Sequence, residues 1–139
     1  MKKKSVFLFV LFFLIFSPFL FTSETDFYGT WQGDVSVYNE GYFFKIDISK
    51  TIFSIEIVYI YYDFAESLGV FSADIKSWTE VENTDTDTLV YFPDGFLLEM
   101  LEPGGETDIM DVFISKDKTL ITFPVLNEDY GEPIIFSKY

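Results

Sequence analysis

The chain has 139 residues, carries a formal charge of −14 and is 21% aromatic. It contains no histidine, cysteine or arginine, which removes the usual zinc and copper ligands, histidine- and cysteine-based nucleophilic catalysis, disulfides, and the guanidinium fork that grips phosphate and carboxylate. The negative charge argues against nucleic acid and anionic lipid headgroups as partners.

Lys2, Lys3 and Lys4 precede an uninterrupted apolar run, Val6 to Phe16, which together have the charge and length of a signal peptide. The apolar character that resumes at Phe19 is interrupted by Pro18, and the run is shorter than the roughly 20 residues of a spanning helix. The pattern predicts a signal peptide over 1–23, cleaved near Thr22 or Ser23, and one domain over 24–139 that is periplasmic or secreted. No membrane contact is expected after cleavage. The remaining 116 residues hold six lysines against 23 acidic residues, a formal −17, and keep 11 Phe, 9 Tyr and 2 Trp. Aromatic and β-branched residues in that proportion favour sheet over helix.

Alternation predicts the first strand over Thr30 to Tyr38, with Trp31, Gly33, Val35 and Val37 on one face. Asn39-Glu40-Gly41 reads as a hairpin loop. Tyr42 to Ser49 alternates again, with Phe44, Ile46 and Ile48 inward, and Lys50-Thr51 reverses the chain. Ile52 to Tyr62 places Phe53, Ile55, Ile57, Tyr59 and Tyr61 on one face and Val58, Ile60 and Tyr62 on the other. Asp63 to Gly69 reads as a short helix. Val70 to Asn83 resumes the strands with a bulge near Ser77-Trp78, and Thr84 to Thr88 is a polar connection. Leu89 to Phe92 is expected as a short lead-in, Pro93-Asp94-Gly95 as a turn, and Phe96 to Leu101 as a full strand. Ile109 to Ser115, Leu120 to Val125 and Ile134 to Tyr139 complete the set, with loops at 103–106, 116–118 and 127–132. Together these predict an all-β domain, a single antiparallel up-and-down barrel of about eight strands.

Gly29-Thr30-Trp31 at the head of the first strand, the meander of hairpins, and the closing Ile135-Phe136-Ser137-Lys138-Tyr139 resemble the lipocalin-like (calycin) group of small β-barrels, especially its short bacterial secreted members. The resemblance implies that Trp31 closes one end of the barrel. Classical lipocalins stack that tryptophan on an arginine from a late strand, which this chain lacks; here Lys138 is the cation available to it.

Inward positions on the central strands, Phe44, Ile57, Tyr59, Tyr61, Phe96, Leu98 and Met100, either line a cavity or fill the interior, since eight strands is the size at which side chains alone can pack a barrel. Under the first reading Phe44, Ile57, Tyr59, Tyr61, Phe96 and Met100 are the ligand-binding candidates. The protein is then an exported, non-enzymatic binding module for a small apolar or aromatic ligand, neutral or cationic. Under the second it is an interaction module with a solid core, and the outer stripe Val58, Ile60 and Tyr62, extended to Trp78, serves a partner or a homo-oligomer. No cofactor or metal is expected: Glu80, Glu82, Asp85 and Asp87 lack the glycine and terminal glutamate of a calcium loop and read as a solvated connection. No carboxylate pair stands out for catalysis among the 23 acidic residues.

Overall fold

A computed structural model describes residues 22–37, 40–85 and 87–139. The signal peptide expected over 1–23 falls, apart from Thr22 and Ser23, outside the described residues. Eight strands, β1 (Gly29–Val37), β2 (Glu40–Ile48), β3 (Ile52–Tyr61), β4 (Phe64–Glu82), β5 (Asp94–Leu101), β6 (Thr107–Ile114), β7 (Leu120–Thr122) and β8 (Phe136–Lys138), follow one another around a closed antiparallel barrel. A short helix, α1 (Pro124–Tyr130), stands between β7 and β8.

The alternation that predicts the strands also fills the interior. Trp31 and Val35 of β1, Phe44, Ile46 and Ile48 of β2, Phe53 and Ile55 of β3, Phe96, Leu98 and Met100 of β5, and Met110, Val112 and Ile114 of β6 belong to one buried cluster. One end is plugged by a 3-10 helix, Glu24–Phe27, started by a capping box between Ser23 and Asp26. Its Phe27 is fully buried, with ring centroids 5.6 Å from Phe96 and 6.2 Å from Trp78. Trp31 is fully buried beside it and donates its indole N–H to the Phe27 carbonyl at 2.8 Å. Lys138 pairs with Trp31 across the β1–β8 seam, and its Nζ lies 5.2 Å from the Trp31 ring centroid. It supplies the cation expected there.

Several sequence expectations are corrected. Asp63 to Gly69 is not helical: Tyr62 and Asp63 form a two-residue turn, with Tyr62 at φ 51°, and β4 begins at Phe64. Cross-strand pairing with β3 outweighs the weak local helix preference. The loop at Asn39-Glu40-Gly41 is narrower, because Glu40 and Gly41 already pair in β2 and residues 38–39 lie outside the description.

Leu89 to Phe92 is a turn rather than a lead-in strand, and Asp94 and Gly95 belong to β5 rather than to a turn. Buried Asn83 shapes this connection: its amide donates to Thr88 Oγ1 and to the Phe92 carbonyl, both at 2.9 Å, and its oxygen accepts from Asp85 N–H at 3.0 Å. The strand expected through Val125 stops at Thr122, where Pro124 starts α1 and Gly131, left-handed at φ 74°, ends it. The terminal strand is correspondingly shorter. A bulge lies between Ile75 and Ser77, next to its expected place, and a second between Ile57 and Val58 has Leu68 as the extra residue.

The β6–β7 turn is organised by Asp117. Its Oδ1 accepts from Ser115 Oγ at 2.7 Å, from Thr119 Oγ1 at 2.8 Å and from Thr119 N–H at 3.2 Å. These bonds, that from Ser115 foremost, hold the carboxyl below its ordinary 3.8. A lowered carboxylate pKa contributes stability that is present above the unfolded value and is lost as pH falls through the folded one. Asp117→Asn is therefore expected to lower the urea midpoint at pH 7, with the gap from the parent closing once pH drops below the lowered value. A gap that persists unchanged down to roughly pH 2 would contradict this account.

Candidate functional site

The strands are strongly staggered, and the stagger creates the site. β3 pairs with β4 over Phe64–Asp74, whereas β5 pairs with β4 only from Asp74 onward. β6 meets β7 only at Phe113 and Ile114, and β8 meets β1 only at Trp31 and Gln32. The wall is thus interrupted at the end of the barrel away from Phe27, and α1 covers part of the gap.

Side chains of α1 and its N-cap hold it there. Phe123 is fully buried, with its ring 5.9 Å from Phe53 and 5.5 Å from Phe136. Tyr130 sits 5.0 Å from both Tyr42 and Phe44, and burial, followed by the proximity of Tyr42 and Asp129, pushes its phenol pKa up. Asn127 fastens the helix to the strands: Oδ1 accepts from Ile134 N–H at 2.8 Å and Nδ2 donates to Thr122 Oγ1 at 3.1 Å.

The space left is a cavity of about 440 Å³ at the mouth of the barrel. Phe53, Ile55, Met100 and Met110 form its apolar floor, and Val70 to Ala73 of β4 form one wall. Val125 and Leu126 of α1 face that wall, and Glu102, Asp108 and Asp129 supply carboxylates at the rim. No lysine among the described residues lines it. A more open groove of about 530 Å³ lies at the other end of the β5–β6 hairpin, against Val90 to Phe92 and Ser115 to Asp117.

Of the six candidate ligand residues, Met100 lines the mouth cavity. Phe44 is fully buried in an aromatic cluster with Tyr42, Tyr130 and Phe136. Tyr59 joins the same cluster 5.3 Å from Tyr42 and stacks on Tyr61 at 6.4 Å; burial, then the Glu40 carboxylate, raises its phenol pKa. Ile57 is half-buried on the same strand, and Tyr61 is exposed. Phe96 belongs to the opposite plug, edge-on to Phe27 and Trp78. The six residues therefore fall at three places.

Phe53 and Ile55 were legible as inward positions but not as a site, and Met110 joins them at the cavity floor. Their shared cavity depends on α1, which alternation does not reveal.

Ile60 and Tyr62, two residues of the outer stripe, are exposed, and Val58 is half-buried. Trp78 packs instead with the lower plug, its ring 5.8 Å from Tyr28 and its indole N–H donating to the Lys50 carbonyl at 2.9 Å. In the acidic connection, Asp85 is a turn former: Oδ1 accepts from Asp87 N–H at 3.0 Å and Oδ2 from Thr88 Oγ1 at 3.2 Å. Among the described residues no helix is long and apolar enough to cross a membrane. No family model, curated protein or solved structure matches the chain.

Proposed function

We propose that this protein is an exported, non-enzymatic binding module of lipocalin-like type, which holds a small apolar molecule in the mouth of its barrel. The observation that carries the reading is the cavity of about 440 Å³ floored by Phe53, Ile55, Met100 and Met110. It lies within the size range of small-molecule sites and is apolar with a few polar groups at its edge. The rim carboxylates favour a neutral or cationic occupant. Export rests on Lys2 to Lys4 and the apolar run behind them. The absence of His, Cys and Arg leaves binding better supported than catalysis.

Titration with the neutral fluorescent probe N-phenyl-1-naphthylamine tests this. Saturable emission enhancement at one probe per chain is expected, and Ala73→Trp, which projects a large ring from the cavity wall, is expected to weaken it at least about tenfold through loss of apolar contact area. Absence of saturable binding by the folded parent would remove the proposal.

A second reading, an interaction module that works from the outside, is supported by the exposure of Ile60, Tyr62 and Phe64 around the β3–β4 turn.

A further inference from the structure

We infer that the free edge of β4 over Phe64–Ala73 accepts an extended peptide segment of alternating basic and apolar residues, which adds as a strand and seats one apolar side chain in the mouth cavity. The anchoring step rests on the cavity proposed above; the recognition of a backbone goes beyond it.

The first ground is the register. β4 is paired with β3 along this stretch, and among the described residues no strand pairs with its other edge until Asp74 meets Leu101. In an antiparallel strand alternate residues turn N–H and C=O groups to each edge, so this edge presents a row of backbone donors and acceptors.

The second ground is composition. Natural edges are usually blunted by lysine, proline or inward charges. Between Phe64 and Ala73 the only charged residue is Glu66, and there is no proline or lysine. Phe64, Leu68, Val70 and Phe71 are instead 49–63% exposed. The bulge at Leu68, with Gly69 at φ 118° beside it, is the one irregularity in pairing with β3, which leaves Val70 to Ala73 as the regular part of the edge.

The third ground is position. Val70 to Ala73 form at once the free edge and a wall of the cavity. Side chains of a strand alternate between faces, so a segment paired here directs alternate side chains toward the barrel interior, where the cavity opens. Backbone pairing with a pocket for alternate side chains is the recognition mode of strand addition.

Charge selects the occupant. Glu102, Asp108 and Asp129 at the rim of the cavity, together with Glu66 on the edge opposite Tyr59, attract lysine or arginine side chains of a segment lying across the mouth. A second copy of this chain would bring a formal charge of −14 against the same acidic rim, so electrostatics disfavours edge-to-edge dimers.

The test is fluorescence anisotropy with a labelled seven-residue peptide alternating lysine with phenylalanine or valine. Two twins are compared: one N-methylated at alternate backbone nitrogens, and one with glutamate in place of lysine. The inference expects saturable binding of the parent peptide, at least tenfold weaker binding of the N-methylated twin, and no measurable binding of the glutamate twin. Val70→Lys, a substitution at an exposed position, is expected to weaken the parent peptide at least tenfold while leaving the melting temperature unchanged. Equal binding of parent and N-methylated peptides overturns strand addition. Failure of the peptide while N-phenyl-1-naphthylamine still binds overturns this inference and leaves the cavity proposal standing; failure of both overturns the two together. A concentration-dependent dimer that Val70→Lys abolishes, without peptide binding, assigns the edge to a second copy and also overturns the inference.

Discussion

Trp31→Ala is expected to cost about 4 kcal/mol, the range for removing a large aromatic from a packed core. Three losses combine. The indole is fully buried, so its removal leaves a void between the Phe27 plug and the floor of the barrel. The Phe27 carbonyl loses the N–H that reaches it at 2.8 Å and becomes an unsatisfied acceptor. Lys138 loses the ring that its Nζ approaches at 5.2 Å, at the seam where β8 meets β1. Urea unfolding followed by far-ultraviolet circular dichroism measures the effect, and Trp31→Phe should recover about half of it by refilling the void without restoring the hydrogen bond. A loss below about 1 kcal/mol for Trp31→Ala would show that the residue does not close the barrel.

Gly95→Ala is expected to destabilise by about 3 kcal/mol although it adds a single methyl group. Gly95 sits in β5 opposite Phe113 of β6. A Cβ there would overlap the Val112 carbonyl oxygen and stand 2.5 Å from Phe113 Cδ1 and 2.9 Å from Phe113 Cα. Two of these three atoms are backbone, so rotamer changes alone cannot relieve the crowding. The β5–β6 ladder must separate, and Phe96 and Met100 on β5 shift with it. Gly104→Ala in the following turn, where an added Cβ meets nothing within 4 Å, is the control and should change stability by no more than about 0.5 kcal/mol. A similar midpoint for the two variants would refute the packing argument.

Gly95 also shows where reading a sequence by turn chemistry misleads. Pro93-Asp94-Gly95 has the composition of a turn, yet the glycine is needed because two strands approach closely. The alternation of Trp31, Val35, Phe44, Ile46, Phe53, Leu98 and Val112 was sufficient for the barrel, because period-2 burial is a property of each strand alone. The bulge beside Lys76 announced itself through broken parity. The site was less legible. Its roof, α1, has only seven residues, too few for a helical period to emerge from the strand pattern around it, although Pro124 and Gly131 frame it as start and stop. The stagger that frees one edge of β4 is a relation between β3 and β5, two strands that do not pair with each other, and composition carries no trace of it. Tyr62 hid the β3–β4 turn because a bulky residue at φ 51° stands where glycine or asparagine would have marked it.

The seam has a consequence for the order of folding. β1 and β8 meet through two register pairs, Trp31 with Lys138 and Gln32 with Ser137, so closure joins residues more than a hundred positions apart in the chain. Contacts of such separation carry a large loop entropy and slow the search. The hairpins from β1 to β6 can zip locally, neighbour to neighbour, before that cost is met. The short β7–β8 end is then expected to be the latch that arrives last, with Phe136 and Ile134, both fully buried in the finished barrel, open to water until it does.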